Sequence, residues 1–375
     1  MKRINTLLAL FTCFAFSFQS NAQTTINDTL IIDGLSRNYI LYEPAIYDGS
    51  VAVPLVINMH GYTSNSVQQM FYGDFKNLAD VDNFLVVCPN GTLDNSGTRY
   101  WNAFVNGGAT DDVSFISQLI DSLSLIYNID QSQVFATGMS NGGFMSYRLA
   151  CELTNKIAKI ASVTGTMNPG LFGTCTPSSS IPVMEIHGTA DATVPYNGIP
   201  NVMMPISDVI AYWIAHNNCD LTPTITAIPD NDPNDNCTAE RIVYSNGDNG
   251  SEVIHYKITG GGHTWPDAII DIPGSNTNHD FNASAAIWEF FKGDPFVGIK
   301  DRMTENTLSI SVQNELLFAS IGNNGKIESM RIVNALGQEV LTSATAQVSI
   351  VNLRKGLYFV IIETPQGFVS KSFMK

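Results

Sequence analysis

Ser140 stands in Gly138-Met139-Ser140-Asn141-Gly142-Gly143, with glycines on both sides of a potential nucleophile. The apolar run 134–137 precedes it and a helix-like stretch begins near Gly143. A strand-to-helix turn of this kind is too tight for side chains at its flanks, and it lifts the central hydroxyl above the sheet edge. The helix that follows points its first amides toward a reacting oxygen. The chemistry such a serine does is nucleophilic acyl transfer. It needs a base, a carboxylate to orient the base, and two donors for the oxyanion that develops.

Of the six histidines, His263 is the best placed for the base, in Gly260-Gly261-Gly262-His263-Thr264-Trp265-Pro266 after the strand-like run 253–258. Asp191, in His187-Gly188-Thr189-Ala190-Asp191-Ala192-Thr193-Val194-Pro195-Tyr196, follows another strand end. The chain order Ser140, Asp191, His263 is then nucleophile, acid, base. Asp267 and Asp271 are rivals for the acid. One oxyanion donor is the amide after the nucleophile, Asn141 N–H. The other comes from the loop after an early strand, in His60-Gly61-Tyr62-Thr63, as Tyr62 N–H. His60 reads as a loop-shaping residue, and His187 as structural beneath the acid loop. His216, His255 and His279 belong to no motif. Tyr100, Trp101 and Trp265 either line an aromatic acyl pocket or serve as packing. There is no Cys-x-x-Cys and no paired histidine at ligand spacing, so no zinc is expected, and the chemistry calls for no metal or organic cofactor. Asp230, Asp232 and Asp235 lack a calcium loop's spacing and closing glutamate, and read as a solvated acidic loop.

Such residues must be held by a frame, and the pattern of residues 23–296 is strands alternating with helices. Strands are predicted at 37–42, 55–59, 84–88, 134–137, 183–187 and 253–258, and helices at 112–127, 143–153, 206–217 and 283–291. The first of these helices has apolar residues at Val113, Phe115, Ile116, Leu119, Ile120, Leu123 and Ile126, near a 3.6 period. This alternation argues for a mostly parallel sheet covered on both faces. Residues 220–250, rich in Asn, Asp, Pro and Thr, read as a long loop or small excursion. After Phe296 the texture becomes short β-like runs at 307–312, 316–320, 329–334, 347–353, 357–363 and 368–373, punctuated by Asn324-Gly325, Leu336-Gly337 and Lys355-Gly356. Residues 297–375 therefore form a small all-β module, and it contains no histidine.

The 375 residues are 44% apolar and only 14% charged, which excludes global disorder. The net charge of −15 argues against nucleic acid and anionic lipid as partners. The first 22 residues and the stretch from 298 onward each carry +2, so the −19 between them marks a separate unit. Lys2 and Arg3, an apolar run at 7–18 and the ending Ser20-Asn21-Ala22 read as a signal peptide over residues 1–22, and Leu10-Phe11-Thr12 is a poor lipobox for Cys13. No later run is long and apolar enough to span a membrane. An exported chain meets an oxidising compartment, so disulfides are expected. The favoured pairings are Cys151–Cys175 and Cys219–Cys237, each closing a short loop, with Cys88 as a buried free thiol.

Residues 23–291 resemble the secreted esterase family that groups polyhydroxybutyrate depolymerases with feruloyl and acetylxylan esterases. The stretches that carry the resemblance are Asp33-Gly34-Leu35-Ser36-Arg37 with Tyr42-Glu43-Pro44-Ala45, His60-Gly61, Asp111-Asp112-Val113, 138–143 with Leu149-Ala150-Cys151, 187–196, 260–266 and Ala286-Ile287-Trp288-Glu289-Phe290-Phe291. The resemblance implies an α/β-hydrolase fold and a Ser140–Asp191–His263 triad. The chain departs from the family where a cysteine often follows the His-Gly pair; here Tyr62 stands there, which keeps the backbone donor but makes the mouth bulkier and aromatic. The end of the chain is similar to the type IX secretion sorting domain, through 332–340, 355–360 and 371–375, without the usual Pro-Asn-Pro opening. That implies passage across an outer membrane by the type IX machinery, then release or surface attachment. The alternative for this module is a carbohydrate-binding β-sandwich, although Tyr358, Phe359 and Phe368 sit in apolar strands. The expected protein is a secreted serine esterase acting on feruloyl or acetyl esters of xylan. A poly(3-hydroxybutyrate) depolymerase is the runner-up, and a non-catalytic surface binding module is the reading from another class.

Overall fold

The computed structural model describes residues 23–103, 110–293, 308–313, 315–322, 326–334, 339–364 and 367–375. The expected signal peptide at 1–22 and the expected boundary at 296 lie outside the described residues.

Ten strands form one sheet. They are β1 (Thr24–Ile32), β2 (Leu35–Glu43), β3 (Val53–Met59), β4 (Leu85–Pro89), β7 (Ile129–Met139), β8 (Lys159–Val163), β9 (Val183–Gly188), β10 (Thr224–Ala227), β11 (Thr238–Tyr244) and β12 (Val253–Thr259), with a short hairpin of β5 (Thr92–Leu93) and β6 (Arg99–Tyr100) outside it. The order is β1-β2-β4-β3-β7-β8-β9-β12-β11-β10. The six strands from β4 to β12 run parallel, and antiparallel pairs close both edges. The central strands are buried on both faces, which is why β4 reads as the unbroken run Leu85-Val86-Val87-Cys88-Pro89 rather than an alternation.

Among the described residues seven α-helices accompany this sheet: α1 (Ser66–Tyr72), α2 (Lys76–Asp82), α3 (Asp112–Ile126), α4 (Asn141–Glu152), α5 (Pro169–Thr174), α6 (Ile206–His216) and α7 (Ala283–Lys292). One face carries α3, α4 and α6 over an apolar layer that includes Leu119, Tyr147 and Trp213. The other carries α1, α2 and α7 over a layer that includes Phe75, Ala79 and Ile287. Helix α3 starts where the Asp111 carboxylate accepts the Ser114 amide at 2.9 Å, and it buries the predicted Phe115, Ile116, Leu119, Ile120 and Leu123. It is tied to the sheet by a buried ion pair, Arg37 to Asp112 at 2.6 Å, with the Arg37 guanidinium stacked 3.8 Å over the Phe115 ring. Helix α7 starts on Asn282, whose side chain accepts the Ala285 amide, and ends at Gly293 in the left-handed conformation.

The predicted elements of this unit are present, and six strands, two of them the β5–β6 hairpin, and three helices are added to them. Two of the added strands, β10 and β11, lie inside 220–250, so the long loop expected there is in part the antiparallel edge of the sheet. The C-terminal strands are β13 (Leu308–Gln313), β14 (Leu316–Ile321), β15 (Ser329–Asn334), β16 (Glu339–Ser343), β17 (Gln347–Ser349), β18 (Leu357–Thr364) and β19 (Gly367–Met374). They form two small antiparallel sheets, β13-β14-β17 and β16-β15-β18-β19. Leu308, Leu317, Met330, Ile332, Val360 and Ile362 fill the core between them. Val333 and Ile361 turn the other way and share a small apolar cluster with Phe71 and Ile269 of the larger unit.

Among the described residues one disulfide is present, Cys151–Cys175, with Cα atoms 5.1 Å apart. The expected Cys219–Cys237 pairing is not made; both are buried thiols. Cys219 belongs to the apolar layer on the α3–α4–α6 face and Cys237 to the layer on the opposite face, so the sheet stands between them. Cys88 is the buried free thiol the sequence predicts.

Candidate active site

The β7–α4 turn holds Ser140 at φ 54°, ψ −118°, a backbone conformation that residues other than glycine rarely adopt. Bonds from the Ser140 amide to the Val163 carbonyl and from the Phe144 amide to the Ser140 carbonyl, at 2.8 and 2.9 Å, hold it there. The flanking glycines answer to a close approach of backbone. A Cβ at Gly138 would stand 2.6 Å from the Met59 carbonyl oxygen, and one at Gly142 would strike the same oxygen. The end of β3 is thereby pressed against the serine turn, and the 60–63 loop that follows β3 comes with it.

In that loop the buried His60 ring takes the Gly91 amide on Nε2 at 3.0 Å, so its proton is on Nδ1, which donates to the Gly61 carbonyl at 2.7 Å. Burial pushes His60 down to about 4, and the ring stays neutral. The Gly61 carbonyl and the Tyr62 N–H belong to one peptide unit, so His60 fixes the direction of the candidate donor; this is the loop-shaping role read from the sequence. Thr63, next in line, is a β-branched residue at φ 71°, held by its amide bond to the Arg99 carbonyl at 3.0 Å. The Tyr62 side chain is exposed and its hydroxyl donates to Asp94 at 2.8 Å.

Asn141 is the first residue of α4, where an amide has no intrahelical acceptor. Its side chain has a separate task. Oδ1 accepts the Trp101 amide at 2.6 Å and Nδ2 donates to the Trp101 carbonyl at 3.1 Å, while the Trp101 indole donates to the His60 carbonyl at 3.0 Å. Trp101 and Trp265 are 0% and 1% exposed, so neither offers surface to a ligand and the expectation that they line an acyl pocket is corrected. Trp101 packs on the His60 ring, and Trp265 fits against Phe75 and donates its indole N–H to Ser284. Tyr100 is half-buried on β6 and is the one of the three with surface to offer.

His263 Nδ1 lies 2.7 Å from Asp191 Oδ2. The carboxylate only accepts, so Nδ1 carries the proton and Nε2 is left with its lone pair, as a base requires. Asp191 Oδ1 accepts the Thr193 and Val194 amides, each at 2.8 Å. The loops that carry acid and base are also joined through backbone: Thr189 N–H to the Ile258 carbonyl at 2.8 Å and Ala190 N–H to the Gly261 carbonyl at 2.9 Å. The rival carboxylates face elsewhere, since Asp271 and Asp267 lie 3.1 and 3.6 Å from the His279 ring. Asp235 is occupied as an acceptor for the Cys237 and His279 amides, and no cluster able to hold a metal occurs among the described residues.

Sequence reasoning missed Glu185 and Tyr147. Glu185 lies beside His187 on β9 and accepts the Tyr147 hydroxyl at 2.7 Å. The signal was a glutamate two residues before the histidine in an otherwise apolar strand, which places both on one face.

Residues 37–218 match the family described as esterase PHB depolymerase, a span that takes in Ser140 and Asp191 and stops before His263. Residues 304–375 match the secretion system C-terminal sorting domain, as expected, which marks an extracellular or cell-surface protein. The chain is 29% identical over 247 residues to the bifunctional acetylxylan esterase/xylanase of Neocallimastix patriciarum, covering 66% of this chain and 34% of that one, so it spans about a third of that relative. It is 32% identical to the probable feruloyl esterase C of Aspergillus niger, over 52% of this chain and 71% of that one. Among solved structures it resembles the acetyl xylan esterase from Aspergillus awamori at a TM-score of 0.50 and 18% identity, covering 72% of this chain and 99% of the other, which bears on the fold alone. The fold is the α/β-hydrolase sandwich that the sequence implies, with the small all-β module after it.

Proposed function

Because the chain belongs to the esterase PHB depolymerase family, we propose that it hydrolyses carboxylic esters through an acyl-enzyme on Ser140. His263 Nε2 takes the Ser140 hydroxyl proton as Oγ attacks the ester carbonyl carbon. Asp191 stabilises the imidazolium that forms. The Tyr62 and Asn141 amides receive the oxyanion, each donor being worth about 3–4 kcal/mol in the transition state. As the tetrahedral adduct collapses, His263 returns the proton to the departing alcohol. A water molecule, deprotonated by His263, then attacks the acyl carbon and releases the acid and the free serine. The observation that carries this reading is the His263–Asp191 bond of 2.7 Å, joined to a serine held in a strained turn.

The proposed substrates are plant-wall esters, feruloyl or acetyl groups on xylan, in keeping with the names of the relatives above. Poly(3-hydroxybutyrate) is the second reading, favoured by the family description. Residues 23–296 are the proposed catalytic unit and 297–375 the sorting module recognised by the type IX machinery.

The test offers the full chain methyl ferulate, acetylated xylan and poly(3-hydroxybutyrate) side by side, with Ser140→Ala as control. Ferulate or acetate release that falls at least about 10⁴-fold in Ser140→Ala is expected. Soluble hydroxybutyrate oligomers would transfer the assignment to the polyester. Turnover that survives in Ser140→Ala would remove the nucleophile from the scheme.

A further inference from the structure

Behind the acid loop stands a second histidine–carboxylate pair that the steps above do not use. Glu185 and His187 are both fully buried on β9. His187 Nδ1 lies 2.7 Å from Glu185 Oε1, and the other Glu185 oxygen takes the Tyr147 hydroxyl. His187 Nε2 faces the Val194 carbonyl at 2.9 Å and Asp191 Oδ2 at 3.5 Å. A neutral imidazole has one N–H, and here both nitrogens face acceptors. Burial opposes a charge on this ring. The Glu185 hydrogen bond and charge, with the Val194 carbonyl and Asp191, outweigh it and hold His187 above the ordinary imidazole value.

The other titratable groups around this ring are neutral or paired. Burial pushes Tyr147 well above its ordinary value. Tyr196, whose ring stands edge-on to His187 at 5.9 Å, is pushed up to about 12 by burial. The Tyr196 hydroxyl is 2.8 Å from His255 Nε2, and His255 Nδ1 donates to the Glu185 carbonyl. Burial pushes His255 down to about 4, so that ring is neutral. Lys257, opposite His187 on β12, is paired with Glu240 at 2.9 Å. Burial raises Glu185 above the ordinary carboxylate value, opposed by the hydrogen bond and charge of His187 and by the Tyr147 hydroxyl, so Glu185 and His187 share one proton as a coupled pair. The groups that act on one another are this pair, Asp191 and, during turnover, His263. Asp191 Oδ2 is shared between two imidazoles, His263 on the side of the site and His187 behind.

We propose that His187 is a positioning residue: as an imidazolium paired with Glu185, it holds the Asp191 carboxylate from behind and tempers the basicity that Asp191 lends to His263. The proposal rests on the Ser140–His263–Asp191 reading. A base must take a proton from the serine and give it up to the leaving alcohol, so its affinity is best near the working pH. A bare buried carboxylate would hold His263 protonated too firmly, and the cation on its far side offsets that.

The test is His187→Gln in the full chain, which keeps a donor for Val194 and removes the charge. The acid limb of the kcat/KM profile is expected to move up by roughly half to one pH unit, and kcat to fall about tenfold with KM within about twofold. A role in packing alone would lower the melting temperature and leave the limb in place; an unmoved limb in folded protein overturns the proposal. Histidine-¹⁵N NMR of the unsubstituted protein and of Ser140→Ala needs no substitution at His187. Protons on both ring nitrogens of His187 at neutral pH are expected, and a ring with one overturns the proposal. Failure of the underlying reading shows separately, as ester turnover in Ser140→Ala whatever the state of His187.

Discussion

Beneath the loops of the ten-stranded sheet the chain buries charge: Arg37 against Asp112, Glu185 against His187, and Asp191 against the base loop. Between the two C-terminal sheets the described core is Leu308, Leu317, Met330, Ile332, Val360, Ile362 and their apolar neighbours. The contrast is one of purpose. A buried ion pair costs desolvation that an apolar pair of the same shape does not, so it adds little to stability for its own sake. What it supplies is direction, since a carboxylate with three donors on it, as Asp191 has from Thr193, Val194 and His263, has one place to be. The larger unit accepts that cost where loops must hold a proton path. The smaller unit, with no histidine or cysteine in 297–375, buries what fills space.

The contrast breaks most plainly if Asp191 proves dispensable. Asp191→Asn should lower kcat by about 10⁴-fold, because an amide can present its N–H to His263 and reverse the tautomer. Asp267→Asn, aimed at His279, should leave kcat within about threefold. Equal losses in the two would return the acid role to the rival.

Acid sharpens the contrast next. His60 and His255 are each lowered by burial to about 4 from an ordinary 6.5. The unfolded chain then takes up protons before the folded one. Stability of the larger unit should fall as pH drops from about 6.5 and level off below about 4, by on the order of 3 kcal/mol for each ring. His187, whose value is raised, works in the opposite sense; its share is full below the ordinary value and fades as pH climbs through the raised one. Melting temperatures from pH 7 to 4 check this, and a flat curve for the unsubstituted protein would contradict the neutral, buried state of both rings.

The smallest effect on activity is expected from Met330→Ala. It opens a cavity in the C-terminal core and should cost that module about 2–4 kcal/mol. Calorimetry should show that loss as an earlier melting event while kcat stays within about twofold. A large fall in kcat would mean that the contact of Val333 and Ile361 with Phe71 and Ile269 reaches the base loop.

Much of the frame was legible because periodicity reports burial. Strands such as β4 and β9, and helices such as α3 and α7, carry their apolar pattern openly. Strand β10 does not: Thr224-Ile225-Thr226-Ala227 is exposed throughout, so an edge strand there looks like the loop around it. The candidate site was legible where one peptide turn dictates its residues, as with Gly138 and Gly142 around Ser140. It was not legible where the third dimension decides. Loop length favoured Cys219–Cys237, but face of the sheet forbids it. For Trp101 and Trp265 the sequence left pocket and packing equally open, and burial decides for packing: both rings are the floor on which the loops rest.

The three cysteines that are unpaired among the described residues have a use beyond that correction. Burial pushes the thiols of Cys88, Cys219 and Cys237 up, so little thiolate is present to react. Reagent or oxidant must wait for the fold to breathe. Cys219 lies under one coat of helices, Cys88 and Cys237 under the other. The molecule thus carries two native clocks, one on each side of its sheet, and each starts only when its own coat lifts.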